Sequence, residues 1–261
     1  MLTSKEVGQM WDQNAELWST LASKGYDLYR DLVNLPGFFS ILPDIKNLSG
    51  LDIGCGDGHN TRLLAAKQAK MTGIDISKNF LRLAQEMEAS EPLGITYIEG
   101  DATSLCFANE TFDFVASFST FMNIPNYEKA IEEAFRVIKP GGFFQFSITH
   151  PCFWTHRIEW LYDENNQKRA LGCCDYFTSN HGVVTEWIFD GVDMSLLKNG
   201  AMFRTPIFRR PISDWFNTLI RSKFTIERVS EPCPSQEVVD RFPSIDGSRI
   251  VPFFLIIQCR K

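Results

Sequence analysis

The sequence is short of the residues that build metal centres and membrane spans. Four histidines and seven cysteines occur in 261 residues, with no Cys-x-x-C pair and no Cys–His spacing suited to zinc. A metal site is therefore not expected. An odd number of cysteines, including the vicinal Cys173-Cys174, argues for free thiols in a reducing, cytoplasmic setting rather than a disulfide framework. No apolar run approaches the ~18 residues of a transmembrane helix. Met1 to Gln13 has no apolar core of the kind a secretory signal needs. Excess positive charge is missing too: the net charge is −6. Phosphate neutralisation supplies most non-specific affinity for nucleic acid, so a nucleic-acid partner is disfavoured and a small-molecule partner preferred. Nothing in the sequence speaks to the oligomeric state. What is plentiful is core-forming material, 44% hydrophobic and 13% aromatic, enough for one large domain or a domain with a sizeable insertion.

A third glycine is also missing where a dinucleotide fingerprint, G-x-G-x-x-G, would require it, because His59 stands there. What is present is Leu51-Asp52-Ile53-Gly54-Cys55-Gly56-Asp57-Gly58, followed by a helix-like run from Thr61 to Lys67. An apolar run entering alternate glycines reads as a strand, a tight turn and a helix start. Such a turn lets a ligand approach the backbone closely, beside unpaired helix N–H groups. The spacing suits a ligand without a diphosphate. About 20 residues on, Gly73-Ile74-Asp75-Ile76-Ser77 ends a second strand on a carboxylate, which suits a ribose diol. Ser77 is the better candidate for the helix cap that follows.

Strands are expected near 51–54, 71–75, 95–99, 112–117 and 142–148, alternating with helices. Phe80, Leu83, Ala84 and Met87 form the apolar stripe of one helix. Tyr127, Ala130, Ile131, Ala134, Phe135 and Ile138 form that of another. Alternation with short loops predicts an α/β, Rossmann-like sheet with helices on both faces. Ligands bind beyond the carboxyl ends of such strands, where Gly54, Asp75, Asp101 and Phe118 all fall. Upstream, Val7, Met10, Trp11, Trp18 and Leu21 predict one helix. A second short helix is expected from Tyr26 to Leu32, ending before Pro36-Gly37. After the fifth strand, aromatics crowd an insertion. Cys174–Thr178 and Val183–Phe189 read as a hairpin around Ser179-Asn180-His181-Gly182, with a third strand near Met202–Phe208. Pro211–Arg221 is helical, and Phe224–Val229 and Pro252–Cys259 are strands. Glu231 to Arg249 reads as a polar, mobile loop.

Taken together, LDIGCGDG, GIDIS, Glu99-Gly100-Asp101-Ala102, Thr111 to Phe118 and Arg136-Val137-Ile138-Lys139-Pro140-Gly141-Gly142 resemble, in order and spacing, the motifs of class I S-adenosylmethionine-dependent methyltransferases. The resemblance is strong over residues 48–149 and looser beyond. It implies a seven-stranded sheet whose last strand is antiparallel, an N-terminal helical cap (1–47), a cofactor-binding core (48–150), an antiparallel substrate-side insertion (151–210) and a C-terminal part of the core (211–261). It also implies a cofactor, S-adenosylmethionine. The expected contacts are Gly54, Cys55, Gly56, Asp57, Gly58 and Asn60 in the turn, Asp75 on the ribose, Ile76 on the adenine face, and Phe80. Asp101 and Ala102 would read the adenine edge. Phe118 would stand near the methionine half, and Arg30 would meet the methionine carboxylate.

Methyl transfer from a sulfonium asks the protein mainly to position and desolvate the partners. A base is needed only where the acceptor's proton must leave early. His150, at the end of the fifth strand, is the expected base. His156 and His181 are weaker candidates, and Tyr176 or Arg204 would orient a substrate. Pro151-Cys152 follows the wrong strand for a cytosine-methylating nucleophile. Ser119-Thr120-Phe121-Met122 replaces the [DN]-P-P-[YF] signature of amino-methylating DNA enzymes. A small-molecule acceptor with apolar or ring character is the leading expectation. The alternatives are RNA or protein methylation, or cofactor binding without turnover.

Overall fold

The structure, a computed structural model, describes residues 2–178, 182–197 and 200–261. Its centre is a seven-stranded sheet built from β1 (Ser49–Ile53), β2 (Lys70–Asp75), β3 (Thr96–Glu99), β4 (Phe112–Phe118), β5 (Ile138–Thr149), β10 (Thr225–Ser230) and β11 (Phe254–Arg260). The strand order is β10-β11-β5-β4-β1-β2-β3. β11 runs antiparallel to both β5 and β10, while β1, β2, β3, β4 and β5 run parallel. The expected strands are thus present within a few residues of their predicted bounds.

Alternate residues of the central strands serve opposite faces. Leu51, Ile53 and Val115 point towards α5 (Tyr127–Val137) and α6 (Ile212–Arg221), joining Ala130, Ile131, Ala134, Trp215 and Leu219. Phe114 and Ala116 point the other way. They meet Phe38 of α2 (Leu35–Ile41), Leu64 of α3 (His59–Ala66), and Leu81 and Ala84 of α4 (Lys78–Ser90). Both faces are therefore sealed, and only the strand ends are left for a ligand. In α4, Leu81 replaces Met87 in the buried stripe; Met87 is 45% exposed.

The N-terminal segment departs from expectation. α1 (Ser4–Ser23) is closed by a capping box between Thr3 and Glu6. The next helix does not stop before Pro36-Gly37. It runs through 28–41, with a wide π-helical turn over Arg30–Asn34 leading straight into α2. Pro36, the second residue of α2, follows directly on that π-helical turn. Gly37 allows close approach: a Cβ there would lie 2.5 Å from Pro232.

The insertion forms two hairpins, paired differently from the prediction. β6 (Arg157–Tyr162) pairs with β7 (Lys168–Cys174), and β8 (Val183–Trp187) pairs with β9 (Phe203–Ile207). Of the predicted Cys174–Thr178 strand only Cys174 is paired, with Arg157, and Tyr176-Phe177 form a turn. The Asp163 carboxylate accepts from the N–H groups of Asn165 and Gln167, and Asn166 adopts a positive φ of 58°. That turn chemistry closes the first hairpin. Ser179, Asn180 and His181 of the predicted turn lie outside the described residues. The predicted loop 231–249 is also ordered. It holds α7 (Gln236–Arg241), capped by Ser235, and a 3-10 stretch over Pro243–Arg249.

α1 ties these parts together. The Asp12 carboxylate accepts from Ser77 Oγ (2.7 Å) and Asn79 N–H (3.0 Å) at the start of α4. The buried Asn14 amide exchanges two 3.0 Å hydrogen bonds with the Arg204 backbone of β9, as a neighbouring strand would. Trp18 packs among Trp187, Phe189 and Phe203, with ring centroids 4.8–5.5 Å apart.

Candidate functional site

The turn after β1 is held open by glycines in the left-handed region. Gly54, Gly56 and Gly58 have φ of 75°, 54° and 83°. A Cβ on Gly54 would come within 2.2 Å of Thr120, and one on Gly58 within 2.3 Å of the Tyr97 hydroxyl. Above Gly56 the nearest atom would be Phe80, 3.9 Å away, so this side of the turn is open. Cys55 does not face that opening. Its thiol is buried in the core, so it contributes only its backbone; its N–H donates to Ile74 O. Asp57 stays half-buried and accepts from His59 N–H. Asn60, in the first turn of α3, has a buried Oδ1 without a hydrogen-bond partner among the described residues.

Asp75 stands beside this turn. Its Oδ2 accepts from Gly56 N–H (2.9 Å) and its Oδ1 from Ser77 N–H (2.8 Å). Each oxygen keeps a second lone pair, the geometry needed to receive two vicinal hydroxyls. Burial pushes its pKa up to about 6, opposed by the N–H donors of Ser77 and Gly56. Asp101 uses Oδ1 for the Thr103 N–H and hydroxyl, both at 2.8 Å. Its Oδ2 makes no hydrogen bond among the described residues, and Ala102 beside it is half-buried. Ile76 lies under Gly8 of α1, where a Cβ would be 3.1 Å away. Phe80 is buried, 6.3 Å from Trp11 between ring centroids.

Two of the expected contact residues have partners within the protein. Phe118 is 7% exposed and stacks on Phe38 with centroids 4.0 Å apart, so the core claims it. Thr120, two residues on, touches the turn instead: its hydroxyl donates to Gly54 O at 3.3 Å. Arg30 lies in the π-helical turn, where its guanidinium is held by Asp31 (2.7 Å) and Asp27 (3.8 Å). Burial raises the Asp27 pKa to about 6, and the Arg30 charge pulls it back. Arg30 thus already has carboxylate partners.

His150 is almost wholly buried. Its Nε2 lies 2.7 Å from Glu231 Oε1, and its Nδ1 accepts from Cys152 N–H at 3.2 Å. Burial lowers its pKa, with Glu231 partly offsetting this. The neutral ring consequently has no free nitrogen for an acceptor's proton, which counts against the expected base role. Tyr176 is committed to Ile212 N–H, His156 is exposed, and His181 is outside the described residues.

Several residues of this edge have no local signature. Asp52 is fully buried on β1, with Oδ2 accepting from Thr61 Oγ1 at 2.6 Å and Oδ1 without a partner among the described residues. Burial raises its pKa to about 7. Its place inside LDIGCG was the available signal. Asn34 donates to Ser119 Oγ across 85 residues of sequence, and Glu231 meets His150 across 81, separations no local pattern reveals. A cavity of about 40 Å³ beside this edge is lined by Tyr29, Phe153, Trp154, Trp160 and Phe253.

Residues 51–146 match the family model described as "Methyltransferase domain". A crystal structure of an S-adenosylmethionine-dependent methyltransferase from Mesorhizobium loti superposes with a TM-score of 0.69. It is 26% identical and covers 87% of this chain and 96% of that one. The chain has the fold of class I methyltransferases. Among curated relatives, the demethylmenaquinone methyltransferase of Staphylococcus aureus is 37% identical over 100 residues, 37% of this chain and 41% of that protein. The same-named protein of Bacillus licheniformis is 34% identical over 131 residues, covering 48% and 52%. The chain therefore spans about half the length of these curated relatives. S-adenosylmethionine, the cofactor named for the Mesorhizobium loti protein, fits this edge on structural grounds. The glycine cradle is open above Gly56, Asp75 has lone pairs to spare for a diol, and Asp101 has a free oxygen for an exocyclic amine.

Proposed function

We propose that this chain binds S-adenosylmethionine along the ends of β1, β2 and β3 and transfers its methyl group to a small-molecule acceptor. The observation that carries this reading is the alignment of the open glycine cradle with two carboxylates that keep acceptor capacity, all on one sheet edge. Asp75 would hold the ribose, Asp101 and Ala102 the adenine edge, and the Gly54–Gly58 backbone and Thr120 the amino-acid end. When bound, the cofactor supplies a methyl group on a positively charged sulfur, a strong leaving group. The chain's part is to fix the partners and exclude water.

A small acceptor is supported by the names of the relatives, demethylmenaquinone methyltransferases. The basic side chains that would favour RNA are otherwise engaged. Arg204 pairs with Glu186, Arg209 donates to Trp154 O, and Arg210 donates to Ile124 and Pro125 carbonyls beneath the Tyr127 ring. No helix among the described residues is long and apolar enough to cross a membrane.

The test combines calorimetric titration with S-adenosylmethionine and transfer of labelled methyl into a deproteinised metabolite extract. Binding plus label in a small compound supports the reading. Label in added RNA or protein redirects it, binding without transfer favours a non-catalytic role, and no binding ends it.

A further inference from the structure

Ser119, the first residue beyond β4, has a φ of 52°, in the left-handed region that a serine adopts only at a cost. Other non-glycine residues share this conformation. Asn47, Gln68, Glu110 and Lys223 precede strands of the central sheet, and Asn166 and Asp175 belong to the insertion. Among the described residues, Ser119 is the one non-glycine case that follows a central strand, on the edge where the glycine turn lies. Its N–H donates to Ser147 O (3.0 Å) and Ser147 Oγ (3.1 Å) on β5. Its carbonyl accepts from Asn123 Nδ2 (3.3 Å), and its Oγ accepts from Asn34 Nδ2 (3.0 Å). Ser147, Asn123 and Asn34 are all buried. A strained residue persists only where its surroundings over-determine it, and such residues cluster at ligand sites.

The Ser119 hydroxyl keeps one capability unused. Asn34 occupies a lone pair on Oγ, and the O–H donates to nothing among the described residues. Ser119 is half-buried, so this group is not sealed in the core. The next residue, Thr120, touches the glycine turn, but its own hydroxyl is taken by the Gly54 and Phe118 carbonyls. A free donor therefore stands one residue from the turn assigned above to the amino-acid end of the cofactor. That end presents an ammonium, which donates, and a carboxylate, which accepts. Only the carboxylate can receive the Ser119 proton. Arg30, the expected partner of that carboxylate, is already held by Asp31 and Asp27.

We propose that the Ser119 hydroxyl donates to the α-carboxylate of S-adenosylmethionine and that Asn34 positions it. This rests on the cofactor-binding reading above. An N–H placed on one side of Oγ turns the freely rotating hydroxyl proton to the other. A hydrogen bond to an ionised acceptor is roughly twice as strong as one between neutral groups, so a single aimed hydroxyl has a measurable effect. The left-handed turn at Ser119 and the buried amide of Asn34 then serve one purpose: they hold a donor where the backbone of an ordinary strand end would not place it.

Calorimetric titration with two probes tests this. S-adenosylmethionine carries the carboxylate; decarboxylated S-adenosylmethionine lacks it and keeps the adenosine, the sulfonium and the ammonium. Ser119→Gly removes the hydroxyl and adopts a positive φ without strain, so this variant keeps the fold. It is expected to bind S-adenosylmethionine roughly 10- to 100-fold more weakly than wild type, the range for losing a hydrogen bond to a charged group, and the decarboxylated probe within about twofold of wild type. Asn34→Leu keeps the side-chain bulk but frees the hydroxyl to rotate. It should lose about three- to tenfold for S-adenosylmethionine, with the decarboxylated probe again little changed. A merely structural role would weaken both probes alike. The proposal is upheld if the Ser119→Gly loss for S-adenosylmethionine exceeds that for the decarboxylated probe by about fivefold or more, and any smaller difference overturns it. Asn34→Leu binding S-adenosylmethionine as tightly as wild type overturns the positioning role. Failure of wild type to bind either probe would instead count against the cofactor reading on which the proposal stands.

Discussion

The glycine edge and the aromatic insertion make their surfaces by opposite means. At the edge, backbone geometry does the shaping: three glycines at positive φ, N–H groups aimed at Asp75, and a fully buried Asp52–Thr61 pair beneath. β4, which borders it, is buried at every position but one. In the insertion, side chains do the shaping. β6 and β7 contain no fully buried residue, and β8–β9 is moored to α1 through Trp18, Phe203 and the Asn14 amide. The first arrangement is rigid, because a Cβ added at Gly54 or Gly58 collides with fixed neighbours. The second can change its lining residues without disturbing the sheet, as expected of a surface that selects an acceptor.

The contrast breaks most visibly at Gly58. Gly58→Val combines a positive φ with a collision against Tyr97 and should cost more than about 4 kcal/mol, measured by urea unfolding. Near-normal stability would mean that the turn is adaptable. Phe203→Ala, removing a fully buried ring from the α1–β9 junction, should cost about 3 kcal/mol in the same assay. Cofactor affinity of the folded fraction should change little; a parallel loss of affinity would show that the two regions are coupled.

A third prediction concerns pH. The raised Asp75 pKa means that the free protein holds a proton there which the unfolded chain releases at lower pH. This residue's contribution to stability is thus greatest below about pH 4 and is lost as pH rises through about 6. A ribose diol donates to the ionised form, so binding runs the opposite way. Calorimetric affinity should be level above about pH 6 and fall by up to about tenfold per unit below it. A flat profile from pH 5 to 8 would remove Asp75 from the ligand. The smallest effect is expected at Arg204→Ala, whose exposed pair with Glu186 should be worth under about 0.5 kcal/mol. A large loss of binding to RNA in a filter assay would reopen the nucleic-acid reading.

The two regions also differed in legibility. The five parallel strands could be read because apolar runs alternate with helical stripes and end in glycine or carboxylate. The candidate residues Gly54, Gly56, Gly58, Asp75 and Asp101 then follow from where those strands end. Strand pairing in the insertion was not legible, since each aromatic run had two possible partners and the decisive turn lay at Asp163–Gln167. Pro36-Gly37 looked like a stop but sits inside a helix, the glycine fitting Pro232, which is remote in sequence. Phe118, expected near the methionine half of the cofactor, packs on Phe38 of α2, a contact no local pattern announces. All three turn on tertiary partners.

The account stands or falls on direct titration of S-adenosylmethionine into wild type and Asp75→Ala at neutral pH. It predicts saturable binding to wild type, weakened by about 1–3 kcal/mol in the variant through loss of hydrogen bonds to a charged group. Equal affinities, or no uptake by the folded wild-type protein, would contradict it.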